Sequence, residues 1–504
     1  MSSCRKEINP HWKTDILAPI LVSTIDIGDI FNDSNTVANP DNSISLVLNE
    51  VFDMKLADSA VAMGDTISNE AFNVPVILTV IPGQKVIKKY SNTQLDFGEM
   101  QLTKSKASKA KIKFNVRSGI KQPLLISYKL YSATKDGIVY ETMQEVPGAS
   151  DTAFATLEQF IEFDDYMLDL TGSGHDTYNT IYALTTVWLH PDADTVLVYP
   201  ADSISIVSTF DEFVPEYVSG YLGQMTMETR ESTALHSFDK LKSGSFDLEN
   251  TKAEIDIYNY VGADVSIDVV DISTIRNNPK QRVVLNHSIV GSSINLIRAS
   301  ESNNPDYPAY PNHKHYDISN SNLDKMIEIM PDSICYSMKA ELNPLGNMSS
   351  GNDFLYFDRT IKANLNLEIP LEFSATNLVF ENIEDISFSD KVIGGGLNIY
   401  VENMFPFDFE VQFYILNSKN QIIDSLINGS NSLIESGIPV NEIVKTPTLT
   451  ILTVQLTEQL ISELKQSNNM LIRFKVNSEY NLVYKLYDHY KTDVKIVGDF
   501  EYEI

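Results

Sequence analysis

The chain is 504 residues long, enough for about three domains of roughly 100–200 residues each. Its 43% hydrophobic and 21% charged content is that of a globular protein, and a net charge of −30 repels phosphate backbones, which argues against nucleic acid or an anionic membrane as a broad partner. No stretch reaches the ~20 consecutive apolar residues of a spanning helix; the run VPVILTVI at 74–81 is cut by Pro82 and Gly83.

The chain opens MSSCRKEINPHW, where Cys4 follows two small residues as at the end of a bacterial lipobox. The basic and apolar regions of a complete lipoprotein signal do not stand before it, so an ordinary exposed thiol is the alternative reading. Trp12, Asp15, Ile16, Leu17, Ala18 and Pro19 follow. This start is similar to the mature starts of uncharacterised outer-membrane lipoproteins of the Bacteroidota, in which a Trp-x-x-Asp-(Ile/Val)-Leu-Ala-Pro element leads an all-β body. The resemblance implies a lipid on Cys4 and a tether to the outer membrane, with the periplasmic face favoured over the cell surface. Arg5, Lys6 and Glu7 are also compatible with the surface-export signals of that phylum.

Residues 1–70 read as a lead-in whose weakly alternating strands add to the first sandwich, or pair with a partner's open sheet edge. Beyond it the chain is β-rich throughout, and three segments share a strand, a turn and a return strand. They start at Lys111, Ala253 and Gly396, and placing Ser118, Asn259 and Asn403 over one another gives a spacing of about 140 residues. A second block recurs from Met167, His315 and Leu452, followed by closing strands at 202–210, 361–369 and 493–500. The expected fold is all-β: three tandem antiparallel sandwiches, immunoglobulin-like or LEA14-like in pattern, over 71–213, 214–372 and 373–504. Short helices are predicted at 152–163, 321–330 and 457–466.

Little in the chain carries chemistry. There is no Walker loop, no Gly-x-Ser-x-Gly and no His-Glu-x-x-His, and the IGGGLN run at 393–398 reads as a tight turn. Asp164–Asp165, Asp192/Asp194 and Glu384–Asp385 are carboxylate pairs of the kind 68 acids scatter everywhere, so none marks a glycosidase site, and Asp192 and Asp194, without a twelve-residue ligand loop around them, read as turn residues rather than calcium ligands. Cys335 alternates with Ile334 and Tyr336 and reads as a structural strand residue; with Cys4 the only other cysteine, a disulfide framework is excluded.

Two stretches stand out as candidate partner-binding surfaces. SNNPDYPAYPNHKHYD at 302–317 is stiff and aromatic, with Tyr307, Tyr310 and Tyr316 able to anchor a partner or stack on a sugar, or to pack on their own sandwich. Within it His313 and His315 would share one strand face, without a visible third metal ligand. KSKASKAKIKF places Lys104, Lys106 and Lys109 close together, as a docking patch or as the lysines of a protected edge strand.

The expected function is therefore non-enzymatic, with no cofactor and no metal. The start resemblance and the missing active site imply an accessory or plug-like subunit of an outer-membrane export complex, the type 9 secretion translocon, with a large outer-membrane barrel as partner. The alternative is a surface glycan-binding or adhesin lipoprotein. That reading is weakened because Trp12 and Trp188 are the only tryptophans and Trp188 reads as core. A carbohydrate-active enzyme comes third.

Overall fold

The computed structural model describes residues 13–31, 35–54, 63–64, 66–304, 308–427, 432–479 and 482–503; Cys4 and Tyr307 lie outside them. The architecture is all-β, as the alternation predicts, with antiparallel sheets.

The N-terminal segment holds β1 (Lys13–Asp26), helix α1 (Ile27–Phe31), β2 (Ile44–Met54) and β3 (Ile67–Phe72). Next come β4 (Leu78–Val80), β5 (Lys85–Gln94), β6 (Gln101–Ser118), β7 (Leu124–Lys135) and β8 (Ile138–Val146). The same unit continues with β9 (Ala155–Glu162), β10 (Thr180–Leu189), β11 (Val196–Val198) and β12 (Ile204–Tyr221). The middle of the chain gives β13 (Met225–Ala234), β14 (Lys252–Asn259), β15 (Val265–Arg276), β16 (Gln281–Val284) and β17 (Asn312–Asp317). It ends with α2 (Leu323–Glu328), β18 (Ser333–Leu342), β19 (Asp353–Tyr356) and β20 (Ile361–Pro370). The last stretch has β21 (Glu372–Asp385), β22 (Val392–Asn403), β23 (Asp408–Leu416) and β24 (Ile422–Ser425). It closes with β25 (Thr448–Gln455), α3 (Glu458–Gln466), β26 (Asn469–Asn477) and β27 (Lys491–Glu503).

One strand order is written three times. The outer sheets run β3-β12-β6-β9, β2-β20-β14-β17 and β1-β27-β22-β25. Their facing sheets run β5-β10-β7-β8, β13-β18-β15-β16 and β21-β26-β23-β24. In the first pair a short strand, Met167–Asp169, bonds to both β6 and β7 and joins the two sheets.

The repeated strand-turn-strand carries a buried polar side chain at the same place in each copy, with three backbone hydrogen bonds in two copies and one in the first. Asn259 Oδ1 accepts from Val261 N at 2.9 Å while its Nδ2 donates to Ala263 O and Ile297 O, both at 3.0 Å. Asn403 Oδ1 accepts from Phe405 N at 2.9 Å, and its Nδ2 donates to Phe407 O at 2.9 Å and Glu435 O at 3.1 Å. In the first copy Ser118 Oγ accepts from Ile120 N at 3.2 Å. All three side chains are fully buried. A short side chain that satisfies three backbone groups inside a core is costly to replace, because each orphaned group loses its hydrogen bond without regaining water.

The lead-in departs from expectation. Only β3 adds to the first sheet; β2 pairs with β20 in the middle unit, and β1 pairs with β27 at the far end of the chain. Each outer sheet offers one open edge beside its closing strand, so an alternating segment can complete any of them. α1 then packs Phe31 against Phe373, 6.3 Å between ring centroids, at the end of the third core.

Two further expectations are corrected. The stretch 152–163 is not a helix, since β9 within it pairs with β6 and sets Glu158 against Lys113 and Glu162 against Lys111. Buried Ala155 and Ile161 and half-buried Leu157 follow the period of two that this pairing needs. The glycine run is the bulged start of β22 rather than a turn: at Gly395, φ +123, a Cβ would lie 2.1 Å from the Asp499 carbonyl oxygen. The helices expected at 321–330 and 457–466 are α2 and α3, the latter capped by Thr457, whose Oγ1 accepts from Leu460 N at 3.2 Å.

The charge is segregated within the first unit. Residues 85–135 carry twelve Lys and Arg against two acids, and residues 136–216 carry sixteen acids and neither Lys nor Arg. The lysine-rich β6 is a central strand, not the protected edge expected, with β12 on one side and β9 and 167–169 on the other. Its Lys106, Lys111 and Lys113 face acids of those neighbours, Glu216, Glu162 and Glu158. A lysine-bearing edge is found instead at β5, which pairs with β10 alone among the described residues and carries Lys85, Lys88 and Lys89.

Candidate functional site

The two stretches singled out in the sequence meet where the first unit joins the middle one. β12 is long enough to pair with β6 along its length and, at its end, with β19, setting Tyr217 opposite both Lys106 and Tyr356. Gly220 permits this double pairing: its φ is +137, and a Cβ there would lie 2.2 Å from the Gln101 carbonyl oxygen. Just beyond, the buried Asp353 accepts from Leu222 N at 3.1 Å and from Asn343 Nδ2 at 2.8 Å, which fixes the junction.

A small hairpin, Ser300–Glu301 paired with Ala309–Tyr310, lies over this junction. Ala299, Ala309 and Phe354 form a buried cluster beneath it, with Tyr217 and Tyr356 packed alongside. Between hairpin and sheet is a cleft of about 720 Å³, whose lining includes Lys104, Lys106, Glu216, Tyr217, Glu301 and Tyr356. Glu301 Oε1 accepts from the Tyr217 hydroxyl at 2.8 Å and the Tyr356 hydroxyl at 3.1 Å, and the two rings sit 4.7 Å apart. Burial, assisted by the Glu301 carboxylate, pushes the Tyr217 phenol up to about 12, and the same causes raise that of Tyr356. Both phenols therefore remain donors at neutral pH.

Lys106 Nζ is bound to Glu216 at 2.7 Å, whereas Lys104 has no carboxylate partner among the described residues. The cleft thus offers a free ammonium, a carboxylate held by two phenols and an aromatic wall. These groups can grip a ligand that presents both an anionic and an apolar part.

Of the other residues named from sequence, Lys109 is exposed opposite Val214 and is not among the cleft's lining residues. Tyr310 is 60% exposed on the hairpin. Tyr316 packs against the main core, which is the self-packing alternative. His313 and His315 do share one face of β17, but both turn to a single acceptor, Oδ1 of Asp256, at 2.7 and 3.0 Å. His313 also stacks on Tyr258 at 4.6 Å. Partial burial pushes the Asp256 carboxyl up, and hydrogen bonds from the two imidazoles outweigh it, holding the group below its usual value. Among the described residues no group of three or more His, Cys, Asp or Glu is placed to hold a metal ion.

The scattered acids have local work. Asp164 accepts from Ala110 N at 2.9 Å, Glu384 accepts from Ser23 Oγ at 2.6 Å, and Asp192 and Asp194 sit in a turn. Cys335 Sγ lies 3.3 Å from Ser232 Oγ on β13, as a structural strand residue would. Trp188, by contrast, is not core. Val187 and Leu189 take the inward positions of β10, and Trp188 faces outward beneath Lys85, 5.9 Å from its ring.

Sequence reasoning missed Glu216, Tyr217, Glu301 and Tyr356. Glu301 is adjacent to the aromatic stretch and could have been included with it; the tyrosines carry no signal beyond strand alternation.

No protein-family model matches the chain, and no curated protein matches it. Among solved structures it is similar to a Parabacteroides distasonis protein provisionally described as secreted, at 14% identity and a TM-score of 0.28, covering 54% of this chain and 82% of that one. It is also similar to the infectious bursal virus protein of T=1 particles, at 9% identity and a TM-score of 0.12, covering 87% of this chain and 78% of that one. At such scores neither likeness carries an argument about what the chain does. Among the described residues no helix is long and apolar enough to cross a membrane, which leaves strands aside.

Proposed function

We propose that this chain is a non-enzymatic protein of the bacterial cell envelope that works by holding a protein partner in the cleft between β6 and the 300–310 hairpin. The observation that carries the reading is the convergence there of an unpaired lysine, a phenol-clamped carboxylate and an aromatic wall. In its finer form the protein is anchored by a lipid on Cys4 at the periplasmic face of the outer membrane. There it serves as an accessory or plug subunit of a type 9 secretion-like export complex. The start of the chain, from Cys4 to Pro19, is what supports that address.

A glycan-binding reading regains some ground from the outward-facing Trp188, which shares its sheet face with the stacked rings of Tyr90, Tyr182 and Tyr131. Their faces are already taken, however, by one another and by Lys85, Lys88 and Lys129, which leaves little ring surface for a sugar.

The test is affinity purification of the chain from its own host in mild detergent, beside the double variant Lys104→Glu/Glu301→Gln. A large outer-membrane barrel should be recovered in stoichiometric amount with the wild type and be lost with the variant. Recovery of the wild type alone would overturn the proposal.

A further inference from the structure

A second cleft, of about 530 Å³, is lined by the strand Leu241–Leu248, by α2 and by the turn that joins β15 to β16. The strand takes its shape from Gly244, whose φ is +93 and where a Cβ would collide with the Asn377 carbonyl oxygen of β21. Its pairing with β21 slips twice, between Leu241 and Ser243 and again between Ser243 and Ser245. Bulges of this kind re-aim side chains. Here they accompany Lys242, Ser243 and Ser245, all exposed and all lining the cleft. Neither serine hydroxyl has a hydrogen-bond partner among the described residues.

Arg276, the last residue of β15, lines the same cleft and is only 9% exposed. Its Nε donates to Asn278 O at 3.0 Å, Nη1 to Ile329 O at 3.0 Å and Nη2 to Lys242 O at 3.3 Å. These carbonyls satisfy three of the five N–H groups of a guanidinium and supply no counter-charge. Capping the carbonyl that follows α2 explains one of the three donors and leaves the charge unmet. Lys242 Nζ likewise donates to a carbonyl, Asp239 O at 2.7 Å, and neither cation pairs with a carboxylate among the described residues. The two acids of the cleft are engaged elsewhere. Glu328 binds Lys325 Nζ at 2.6 Å and accepts from Leu248 N at 3.2 Å, and Asp247 lies 3.7 Å from the same ammonium. A buried cation without a counter-ion is costly, and this one persists in a chain of net charge −30. We propose that the cleft binds the phosphate group of a small molecule, which supplies that counter-charge. Two uncompensated cations match the charge of about −2 that a phosphate ester carries at neutral pH. The two remaining guanidinium N–H groups, the Lys242 ammonium and the two serine hydroxyls are donors of the kind phosphate oxygens accept. Pro279 and Val283 give the rest of the ligand an apolar wall, in a volume suited to a small organic molecule. This goes beyond the partner cleft and uses none of its residues.

Isothermal titration calorimetry of the full chain tests this with inorganic phosphate, glucose 6-phosphate and acetate at matched ionic strength. Both phosphates should bind and acetate should not. Tighter binding of glucose 6-phosphate assigns the site to phosphorylated small molecules, and tighter binding of inorganic phosphate assigns it to the free anion. Lys242→Glu should weaken binding about tenfold or more, and Ser245→Ala about threefold. Lys419→Glu, at an exposed turn of the third unit, should leave it unchanged. Arg276→Met should abolish binding; because it also removes three hydrogen bonds from the fold, the exposed Lys242 keeps the test decisive if that variant melts early. No heat from either phosphate at about 10 mM overturns the proposal, since so weak a site would stay empty at ordinary ligand concentrations. Acetate that binds as tightly as phosphate overturns it too, as does wild-type affinity in Lys242→Glu.

Discussion

The first and third sheet pairs share a strand order and both bury rings, but they differ in how many rings they turn outward and in one of their sheet edges. In the third, rings point inward: Phe380, Phe409, Phe413 and Phe474 are buried, with Phe380 stacked on Phe474 at 4.9 Å. One edge of each of its sheets is covered as well, β27 by β1 and β21 by the strand Leu241–Leu248, the latter where the first unit leaves β5 bare. In the first, Tyr90, Tyr131, Phe160 and Trp188 lie outside under lysine ammonium groups, and β5 is left open on one side among the described residues. Because the strand order is common, the fold does not demand this difference. We read the third unit as the closed anchor of the molecule and the first, with its junction cleft, as the part that meets partners.

Removing residues 1–31 breaks the closed side of this comparison most severely. It takes away β1 and α1, whose Ile20, Leu21, Ile25, Ile27, Ile30 and Phe31 are all buried. At about 1.5–3 kcal/mol per buried side chain the loss is roughly 10 kcal/mol, comparable with the stability of a whole domain. Calorimetry should show the third unit's transition lost, with aggregation through the bared β27 edge.

Next in size, Asn403→Ala should cost about 3 kcal/mol and Asn259→Ala about as much, because each orphans three buried backbone groups, whereas Ser118→Ala should cost about 1 kcal/mol. Urea titrations of the three variants check the ranking; equal costs would show that the turns are held differently.

Within the cleft, Tyr217→Phe removes one hydrogen bond to Glu301 and should cost about 1 kcal/mol in stability. Its effect on partner recovery should be larger than that of Leu449→Asp in the third unit. Acid should act at Asp256. Its carboxyl titrates below its unfolded value, so its contribution to stability is present above about pH 4 and fades as the pH falls through the lower, folded value. Asp256→Asn should flatten that acid limb of the melting-temperature profile. The smallest effect is expected at Lys113→Ala, which breaks an exposed pair with Glu158 and should change stability by about 0.5 kcal/mol or less.

Much of the fold was legible because it is local. The buried turn residues Ser118, Asn259 and Asn403, the blocks downstream of them and helices α2 and α3 all announce themselves within a few residues. The destinations of β1, β2 and β3 were not legible, since alternation marks a strand without saying which open edge receives it; Asp26 pairs with Lys491 across nearly the whole chain. Residues 152–163 carry apolar positions that fit both helical and strand spacing, and only the facing lysines of β6 decide between them. Trp188 lies in an apolar run, TTVWLH, that hides which side is outward. The cleft was half legible: Lys104, Lys106 and the 302–317 stretch were visible as separate candidates, but their meeting depends on the register of β12 with β19.

The most direct test of the division between anchor and partner surface is photocrosslinking in the host. A benzophenone amino acid would replace Lys104 in the cleft in one strain and Leu449 on the closed unit in another. The account predicts a crosslink from position 104 to one outer-membrane protein of fixed mass, and none to that protein from position 449. Crosslinks to the same protein from both positions, or from 449 alone, would contradict it.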